Sequence, residues 1–414
     1  MKRLMVYSHD TYGLGNLRRM LAICEHLSQV LPELTILLLS GSPLVQQFRL
    51  PPRLDYLKLP CLTRVAPDGY AVKSLGMSLP EAIHMRSELM LAAAANFKPD
   101  LFLVDKKPFG IKNELEATLN HLKQQRPRAR QVLILRDILD APEQTIDVWQ
   151  RHAYHAVIEA FYDLILVLGA PEVFDLRHEY QFPAASADRV RFCGYLRRGP
   201  GNRSRAEISR ELQLANGERS VLVTAGGGQD GYGLLATYLA SLPLLPDDQR
   251  VHSLLISGPE MRAGQRRRLA EAAAGHPRVV VREFTDDFMS YLNAADVVIS
   301  MGGYNTVCEV LSARKRALVV PRVSPVQEQW LRAERMARLQ LFKTLHPARL
   351  TPEALSRELL DLLNADEAPA AAPPFRLDAQ TKIAEWASVL LAEPVSVDWA
   401  APGGCPAATR TGSP

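Results

Sequence analysis

Short apolar runs, each about one strand long, alternate with amphipathic stretches over most of the chain. The first run ends at Ser8. After a glycine-bearing loop, Leu17, Met20, Leu21, Cys24, Leu27 and Leu31 recur at spacings of three and four, which predicts a helix with one apolar face. Further runs follow at residues 34–39, 56–59, 101–104, 132–135 and 164–168. Runs this short and continuously apolar suit strands covered by helices on both faces, so the first half is expected to be an open α/β sheet. Between Pro60 and Pro99 the rhythm changes: a polar loop at 65–70 precedes a long helical segment at 79–97, rich in Met and Ala and carrying His84, Arg86 and Glu88. It reads as a packing helix or, because flexible Met side chains adapt to apolar partners, as a surface facing an acceptor or a membrane.

A run at 189–193 ends in Gly194, and residues 197–204, polar and broken by Gly199, Pro200 and Gly201, are the best linker. The pattern then restarts. Residues 221–223 lead into Gly226, Gly227, Gly228 and Gln229, and runs at 253–256, 279–284, 297–299 and 317–320 follow with helices between them. Each half thus opens with a strand and a glycine-rich turn, and both turns can face a cleft at the carboxyl ends of parallel strands, where ligands bind. The expected division is an N-terminal domain at 1–195, a second domain at 196–375, a helix at 376–392 packing back across the pair, and a disordered tail at 393–414, whose residues are small, polar and proline-bearing.

Composition refines this only slightly. A chain of 414 residues exceeds the ~100–200 expected per domain, which favours two domains. Hydrophobic content of 47% and charge of 23% are ordinary for a soluble globular protein. The net charge of +4 is spread along the chain and gives no ground for a nucleic-acid partner, while remaining compatible with an anionic substrate or a weakly held acidic membrane surface. Cys24, Cys61, Cys193, Cys308 and Cys405 are scattered without metal spacing, a reduced pattern. The N-terminus is briefly apolar before His9 and Asp10, a first strand rather than a signal peptide, and no run approaches the ~20 apolar residues of a membrane span. The expected location is therefore the cytoplasm, with peripheral contact at the inner membrane face as an option.

The chemistry concentrates further along. The run at 297–299 is followed by Gly302 and Gly303 and by a helix expected from Thr306 onward. A strand, a glycine turn and a helix N-terminus offer free N–H groups and the positive end of the macrodipole to an anion, and glycine has no Cβ to obstruct it. Glu309 falls three residues inside the expected helix, on its first turn, where a carboxylate can reach a ribose hydroxyl beside the phosphates. The plainer reading is a tight turn followed by a first-turn acid.

Residues 279–341 resemble the C-terminal domain of family 28 glycosyltransferases. The likeness rests on Glu283-Phe284-Thr285-Asp286-Asp287-Phe288-Met289, on Ala295-Asp296-Val297-Val298-Ile299-Ser300, on Gly302-Gly303 and Thr306-Val307-Cys308-Glu309, on Pro321, and on Gln327 and Gln329. Residues 221–229 look like that family's other glycine loop and residues 8–16 like its N-terminal one. The resemblance implies a GT-B architecture, with two Rossmann-like domains around a cleft and a nucleotide-diphosphate sugar held mainly by the second. Gly226, Gly227, Gly228 and Gln229, with Gly302 and Gly303, would meet the diphosphate or sugar, and Asn305 and Thr306 would belong to the same donor site. Glu309 would bind the ribose hydroxyls, Phe284 and Thr285 would flank the base, and Gln327, Glu328 and Gln329 would hydrogen-bond the sugar. Uridine is the preferred base. Gly13, Gly15, Asn16 and Arg18 would form the acceptor or phosphate loop.

The implied reaction moves a hexose, or an N-acetylhexosamine, from a UDP-sugar to an acceptor hydroxyl with inversion. Fixed amide dipoles can stabilise the leaving diphosphate, so no metal or other cofactor is expected, and the chain has no D-x-D motif. A general base is needed near the first glycine loop. The family usually has a histidine after those glycines, where this chain has Asn16, which takes no proton at neutral pH. His9 and Asp10 are the available substitutes, each with a structural reading as a loop or turn residue. Two other functions stay open: a nucleotide-sugar epimerase or hydrolase, and a non-catalytic nucleotide-sugar binder. The acceptor, whether lipid, polysaccharide or small metabolite, is not encoded legibly.

Overall fold

The computed structural model describes residues 1–10, 15–65, 69–215, 217–365 and 370–392. Gly13, most of the first glycine loop and the expected 393–414 tail lie outside those residues. The first half supplies β1 (Lys2–Ser8), β2 (Leu34–Ser40), β3 (Leu54–Lys58), β4 (Leu62–Arg64), β5 (Tyr70–Val72), β6 (Leu101–Asp105), β7 (Arg130–Arg136), β8 (Leu164–Leu168) and β9 (Val190–Phe192). Seven of them form one sheet in the order β3-β2-β1-β6-β7-β8-β9, parallel throughout, while β4 and β5 make a separate antiparallel hairpin. The second half supplies β10 (Arg219–Thr224), β11 (Val251–Ile256), β12 (Val279–Arg282), β13 (Val297–Ser300), β14 (Arg316–Val319) and β15 (Lys343–Thr344). These form a parallel sheet ordered β12-β11-β10-β13-β14-β15.

The continuous apolar runs are explained by burial on both faces: every residue of β6, β8, β11 and β13 is buried. Strand order also locates the ligand crevice. The chain reverses its direction of growth between β1 and β6 in the first sheet and between β10 and β13 in the second, and ligands bind outside the carboxyl ends of strands at such switch points. The two glycine loops predicted for the second domain follow β10 and β13, so the topology puts both at that position.

Residues 194–204 do not hang loose between the halves. The backbone N–H of Tyr195 donates to Arg376 O at 3.0 Å and that of Ala379 to Tyr195 O at 3.1 Å, so the outgoing and returning crossings lie side by side. Gly194, with φ of +80°, allows this approach, because a Cβ there would stand 2.4 Å from the Arg376 carbonyl oxygen. The returning chain ends in the Ala379–Leu391 helix, which buries Ile383, Trp386, Ala387 and Leu390 and packs against the Gly15–Val30 helix and β6. One apolar cluster consequently runs from the first sheet through Tyr304, Val307 and Cys308 into the second half.

Two expectations need correction. The helix after β13 is Tyr304–Ala313, starting two residues early, so Glu309 lies on its second turn rather than its first. Gly303 precedes it in extended conformation (φ −62°, ψ 140°), and Tyr304 is buried against Tyr195, with ring centroids 5.9 Å apart, which draws the helix start back to that residue. The 279–284 run ends as strand at Arg282, leaving Phe284 in a loop with 53% of its surface exposed. The β4–β5 hairpin and β15 had no signal in the apolar pattern. The 79–97 helix is present with these limits, capped by Ser78 and Glu81 in a reciprocal box, and buries Ala82, Arg86, Met90 and Ala94 on one face.

Candidate functional site

The donor-side loops meet the geometric needs of an anion site. Gly226 and Gly228 have φ of +64° and +95°, values glycine tolerates, and Gly228 lies so close to the turn after β11 that a Cβ would stand 2.2 Å from Ser257 O. At Gly226 and Gly303, by contrast, an added Cβ would meet nothing within 4 Å, so the backbone there borders open space. The amides opening the Tyr304–Ala313 helix point the same way as the positive end of its dipole. Thr306 is buried in its first turn.

Side chains from the two halves meet directly in front of these loops. Glu309 is 1% exposed, and its Oε1 accepts from Arg18 Nη2 at 2.8 Å, so the acid expected at the ribose pairs with a cation of the first domain. Asn305 donates through Nδ2 to Gly15 O at 3.0 Å and accepts from Arg198 at 3.2 Å. Gln327, Glu328 and Gln329 sit at the start of the Glu328–Arg338 helix, where the side chains of Glu328 and Gln329 already have protein partners and that of Gln327 is exposed. The Gln327 backbone N–H donates to Asp140 Oδ1 at 2.9 Å, and Gln329 Oε1 accepts from the Arg322 N–H at 3.0 Å. Glu328 accepts from Arg332 Nη2 at 2.7 Å. Burial alone would raise its pKa, but Arg332, Arg136 and Arg322 outweigh burial and pull it down to about 2. Arg332 is fully buried and also holds both oxygens of Asp137, at 2.7 and 2.8 Å, across the domain boundary. Burial opposes its charge, yet Asp137 and Glu328 hold its pKa well above the usual value.

At the far edge of the second sheet, Phe284, Thr285 and Asp287 line an open basin of about 650 Å³ together with Arg203, Arg282 and Tyr291. An exposed aromatic ring beside hydrogen-bonding groups is the arrangement a nucleobase requires.

Across the cleft, His9 and Asp10 follow β1. Both are buried, at 1% and 3% exposure. Asp10 accepts from Ser8 Oγ at 2.9 Å and Ser40 Oγ at 2.5 Å; burial outweighs these bonds and lifts its pKa to about 6. His9 is pushed the other way, well below the usual imidazole value, first by burial and then by Lys106, Lys107, Arg86 and Arg64. It is therefore neutral at pH 7, and its Nδ1 has no hydrogen-bond partner among the described residues. Asn16 donates to His9 O and accepts from Arg19 Nη2 at 3.1 Å, so it fixes the start of the first helix. Arg19, fully enclosed, pairs with Asp105 Oδ1 at 2.7 Å.

Residues 220–385 match the glycosyltransferase family 28 C-terminal domain. The second half of this chain is similar to a family 28 domain over those residues. A UDP-N-acetylglucosamine--N-acetylmuramyl-(pentapeptide) pyrophosphoryl-undecaprenol N-acetylglucosamine transferase of Methylorubrum populi is 29% identical over 180 residues, covering 41% of this chain and 48% of its own. The chain thus spans about half the length of the curated relatives it matches. Among solved structures, Acinetobacter baumannii MurG superposes with a TM-score of 0.58 at 14% identity, over 94% of this chain and 100% of that one. A UDP-GlcNAc 2-epimerase from Neisseria meningitidis, bound to UDP-GlcNAc, gives 0.58 at 15% identity over 94% and 100%. These likenesses show the GT-B fold over 94% of this chain.

Several residues where the two halves meet had no sequence signal. Arg332 and Asp137 stand 195 positions apart and Arg19 and Asp105 86 apart, and the fold brings each pair together. Asp137 is further enclosed by Gly169, where a Cβ would come within 2.6 Å of the Asp137 Cβ. Among the described residues no group of three or more His, Cys, Asp or Glu could hold a metal ion. Cys24, Cys61, Cys193 and Cys308 are buried free thiols. Among the described residues no helix is long and apolar enough to cross a membrane.

Proposed function

We propose that this protein is a glycosyltransferase that moves a hexose or N-acetylhexosamine from a UDP-sugar to an acceptor hydroxyl with inversion. The observation that carries this reading is the pairing of two glycine loops at the β10/β13 switch point, both bordering open space, with a buried acid 2.8 Å from a cation of the opposite domain. The family 28 match and the UDP-sugar in the names of its relatives support the donor class.

In this reading the diphosphate lies against the amides of residues 226–228 and of the Tyr304–Ala313 helix N-terminus, Glu309 turns from Arg18 to the ribose hydroxyls, and the uracil rests at Phe284 and Thr285. The acceptor oxygen attacks the anomeric carbon from the side of the first domain, the bond from that carbon to the β-phosphate oxygen breaks, and UDP departs with the electron pair. Preorganised amide dipoles stabilise the charge developing on the diphosphate, which is why no metal or cofactor is required. The acceptor proton passes to the first domain, where His9, neutral and with one ring nitrogen unpartnered, is the better candidate base. Asp10 is the alternative, although both its oxygens already accept from serine hydroxyls. Gln327 would meet the sugar through its exposed side chain and Gln329 by leaving the Arg322 N–H, whereas the Glu328 charge stays committed to Arg332. Peripheral membrane contact and a cytoplasmic location belong to the same proposal.

Incubating the protein with radiolabelled UDP-GlcNAc and UDP-glucose, with and without candidate acceptors, tests it. Transfer of label to an acceptor, reduced about 10²–10⁴-fold by His9→Ala with donor binding retained, is the expected result. Conversion of the sugar without an acceptor would replace the proposal by the epimerase or hydrolase reading. Binding without turnover across the acceptor panel would favour a non-catalytic binder.

A further inference from the structure

We infer that Arg322 is a catalytic residue of this protein: its guanidinium binds the β-phosphate of the nucleotide sugar and takes up charge as the diphosphate departs. That role presupposes the transfer reading above. Strand register fixes where Arg322 lies. Thr224 of β10 pairs with Ser300 of β13, and Ser300 pairs with Val319 of β14, so the loops after these strands leave one edge side by side. Neighbouring strands stand about 4.8 Å apart, which puts β10 and β14 roughly 10 Å from each other with β13 between them. Arg322, on the loop after β14, nevertheless reaches Asp230, on the glycine loop after β10, with Nη1 3.5 Å from Oδ2. The pair therefore spans the end of β13, where the Gly302–Gly303 turn opens the Tyr304–Ala313 helix and the diphosphate is expected. The backbone beneath is fixed. A Cβ added at Gly302 would stand 3.3 Å from Pro321 Cβ and 3.2 Å from Gln329 O, and the Arg322 N–H donates to Gln329 Oε1 at 3.0 Å.

The side chain above that backbone is loosely held. Charge-assisted hydrogen bonds run at about 2.7–2.9 Å, whereas the guanidinium stands 3.5 Å from Asp230 and 3.8 Å from Glu328 and makes no hydrogen bond among the described residues. Its Nε is shielded from water without a partner, although 28% of the side chain is open to solvent. Neither acid is placed to close the gap: Glu328 is already bonded to Arg332 at 2.7 Å, and Asp230, with 40% of its side chain exposed, has water to compete for it. A guanidinium whose forked N–H donors have no acceptor in range is prepared for an oxyanion.

The charges around the donor loops call for such a cation. Asp230 and Glu328 flank the Arg322 side chain, Glu309 lies on the second turn of the helix, and Glu260 Oε2 stands 3.0 Å from where a Cβ on Gly227 would be. A diphosphate adds further negative charge. Arg18 and Arg332 also reach this region, but Arg18 is paired with Glu309 at 2.8 Å, and Arg332 donates to Asp137, Glu328 and Gly302 O. Arg322, by contrast, has donors to spare, and its planar fork can take two oxygens of one phosphate. When the bond from the anomeric carbon to the β-phosphate oxygen breaks, the electron pair stays on that oxygen, and the acceptor proton passes to the first domain. Arg322 keeps its own protons throughout and meets a more negative phosphate after the bond has broken than before. Its stabilisation is therefore larger for the departing diphosphate than for the bound donor, which is what lowers the barrier.

The test is calorimetric titration of UMP, UDP and the tighter-binding of UDP-GlcNAc and UDP-glucose into the full chain, as wild type, Arg322→Gln and Arg322→Lys. Arg322→Gln should weaken UDP by about tenfold or more. It should weaken the UDP-sugar by less, because the esterified β-phosphate lacks the charge of the leaving group, and UMP, which has no β-phosphate, by no more than about twofold. Arg322→Lys keeps the charge and loses the fork, so it should restore part of the UDP affinity. The UDP loss should persist in about 1 M NaCl, where the Debye length is about 3 Å and charges acting from a distance are screened. Equal losses for UMP and UDP would mean that the side chain only shapes the loop. Equal losses for UDP and the UDP-sugar would remove it from leaving-group stabilisation, and a loss abolished by salt would leave no direct contact; each of these overturns the assignment. Wild-type UDP affinity in Arg322→Gln refutes Arg322 while the donor reading stands, whereas a wild type that binds none of these nucleotides refutes the donor reading and Arg322 with it.

Discussion

Replacing Glu309 by Gln tests the donor site most directly, because the side chain keeps its shape and loses only its charge. The carboxylate is 1% exposed and, among the described residues, accepts one side-chain bond, from Arg18 at 2.8 Å, whose own side chain is 36% exposed. A charge-assisted bond to a ribose hydroxyl contributes ~1.5–3 kcal/mol and a neutral one ~0.5–1.5, so Glu309→Gln should weaken UDP binding by about 1–2 kcal/mol, or roughly 5–30-fold. Ribose binding must also break the contact with Arg18. A pair with one partly solvated member contributes no more than about 1 kcal/mol after screening, so Arg18→Ala should tighten UDP binding by at most about fivefold if Arg18 acts only as a competitor. That gain should vanish in the Glu309→Gln background, since the competitor then has little to compete for. Calorimetric UDP titration of the four proteins gives the full cycle. Wild-type affinity in Glu309→Gln would remove the acid from the ribose. A persistent Arg18→Ala effect in that background would show that Arg18 acts on the nucleotide directly.

Three further outcomes follow from the same geometry. Asp10 has a folded pKa of about 6 against 3.8 for the free side chain, so the folded state binds the extra proton, and stability is lost as pH rises from about 4 to 6. Asp10→Asn should therefore stabilise by about 1–3 kcal/mol at pH 8 and by much less at pH 4, and equal shifts in thermal unfolding at both pH values would refute the assignment. Arg332→Met leaves Asp137 and Glu328 buried without their main partner and should cost about 3–5 kcal/mol in urea unfolding, whereas a loss below 1 would mean the network relaxes around the gap. Phe284→Ala, with 53% of the residue in solvent, should weaken UDP by about 1 kcal/mol while leaving pyrophosphate binding unchanged; equal losses for both ligands would remove the ring from the base.

The architecture was legible because burial on both sheet faces leaves an unbroken apolar run, and residues 101–104 and 164–168 differ little from the strands Leu101–Asp105 and Leu164–Leu168. Strands lacking that cause were missed: β4 and β5 have three residues each and form an isolated hairpin. The glycine loops were legible as well, since positive φ and close backbone approach leave little choice of residue at Gly226 and Gly228. The Tyr304 helix start was not, because a buried aromatic at a helix terminus is set by its tertiary partner, Tyr195. The ionic contacts were hidden for the same reason. Arg18 and Glu309 are separated by 291 positions and Asp137 and Arg332 by 195, and no local pattern connects them. Glu328 illustrates the consequence: as a lone acid between two glutamines it suits a sugar contact, but the fold surrounds it with three guanidinium groups that leave its charge no spare capacity.

The basic cluster also bears on how a weak base could serve the reaction. His9 is kept neutral first by burial and then by Lys106, Lys107, Arg86 and Arg64. Arg86 is already neutralised by Glu114, at 2.5 and 2.8 Å, and Asp105 offers the histidine only a backbone contact at 3.3 Å, while Lys106 heads the cations that lower it. Removing the Lys106 charge should therefore raise the proton affinity of His9 toward its ordinary value without reaching it, because the larger contribution from burial remains. The Cε1–Hε1 NMR signal of His9, assigned by comparison with His9→Gln, should accordingly titrate at higher pH in Lys106→Gly than in the wild type. A midpoint indifferent to that change would show that burial alone governs His9, and would leave Asp10 as the group to which the acceptor gives its proton.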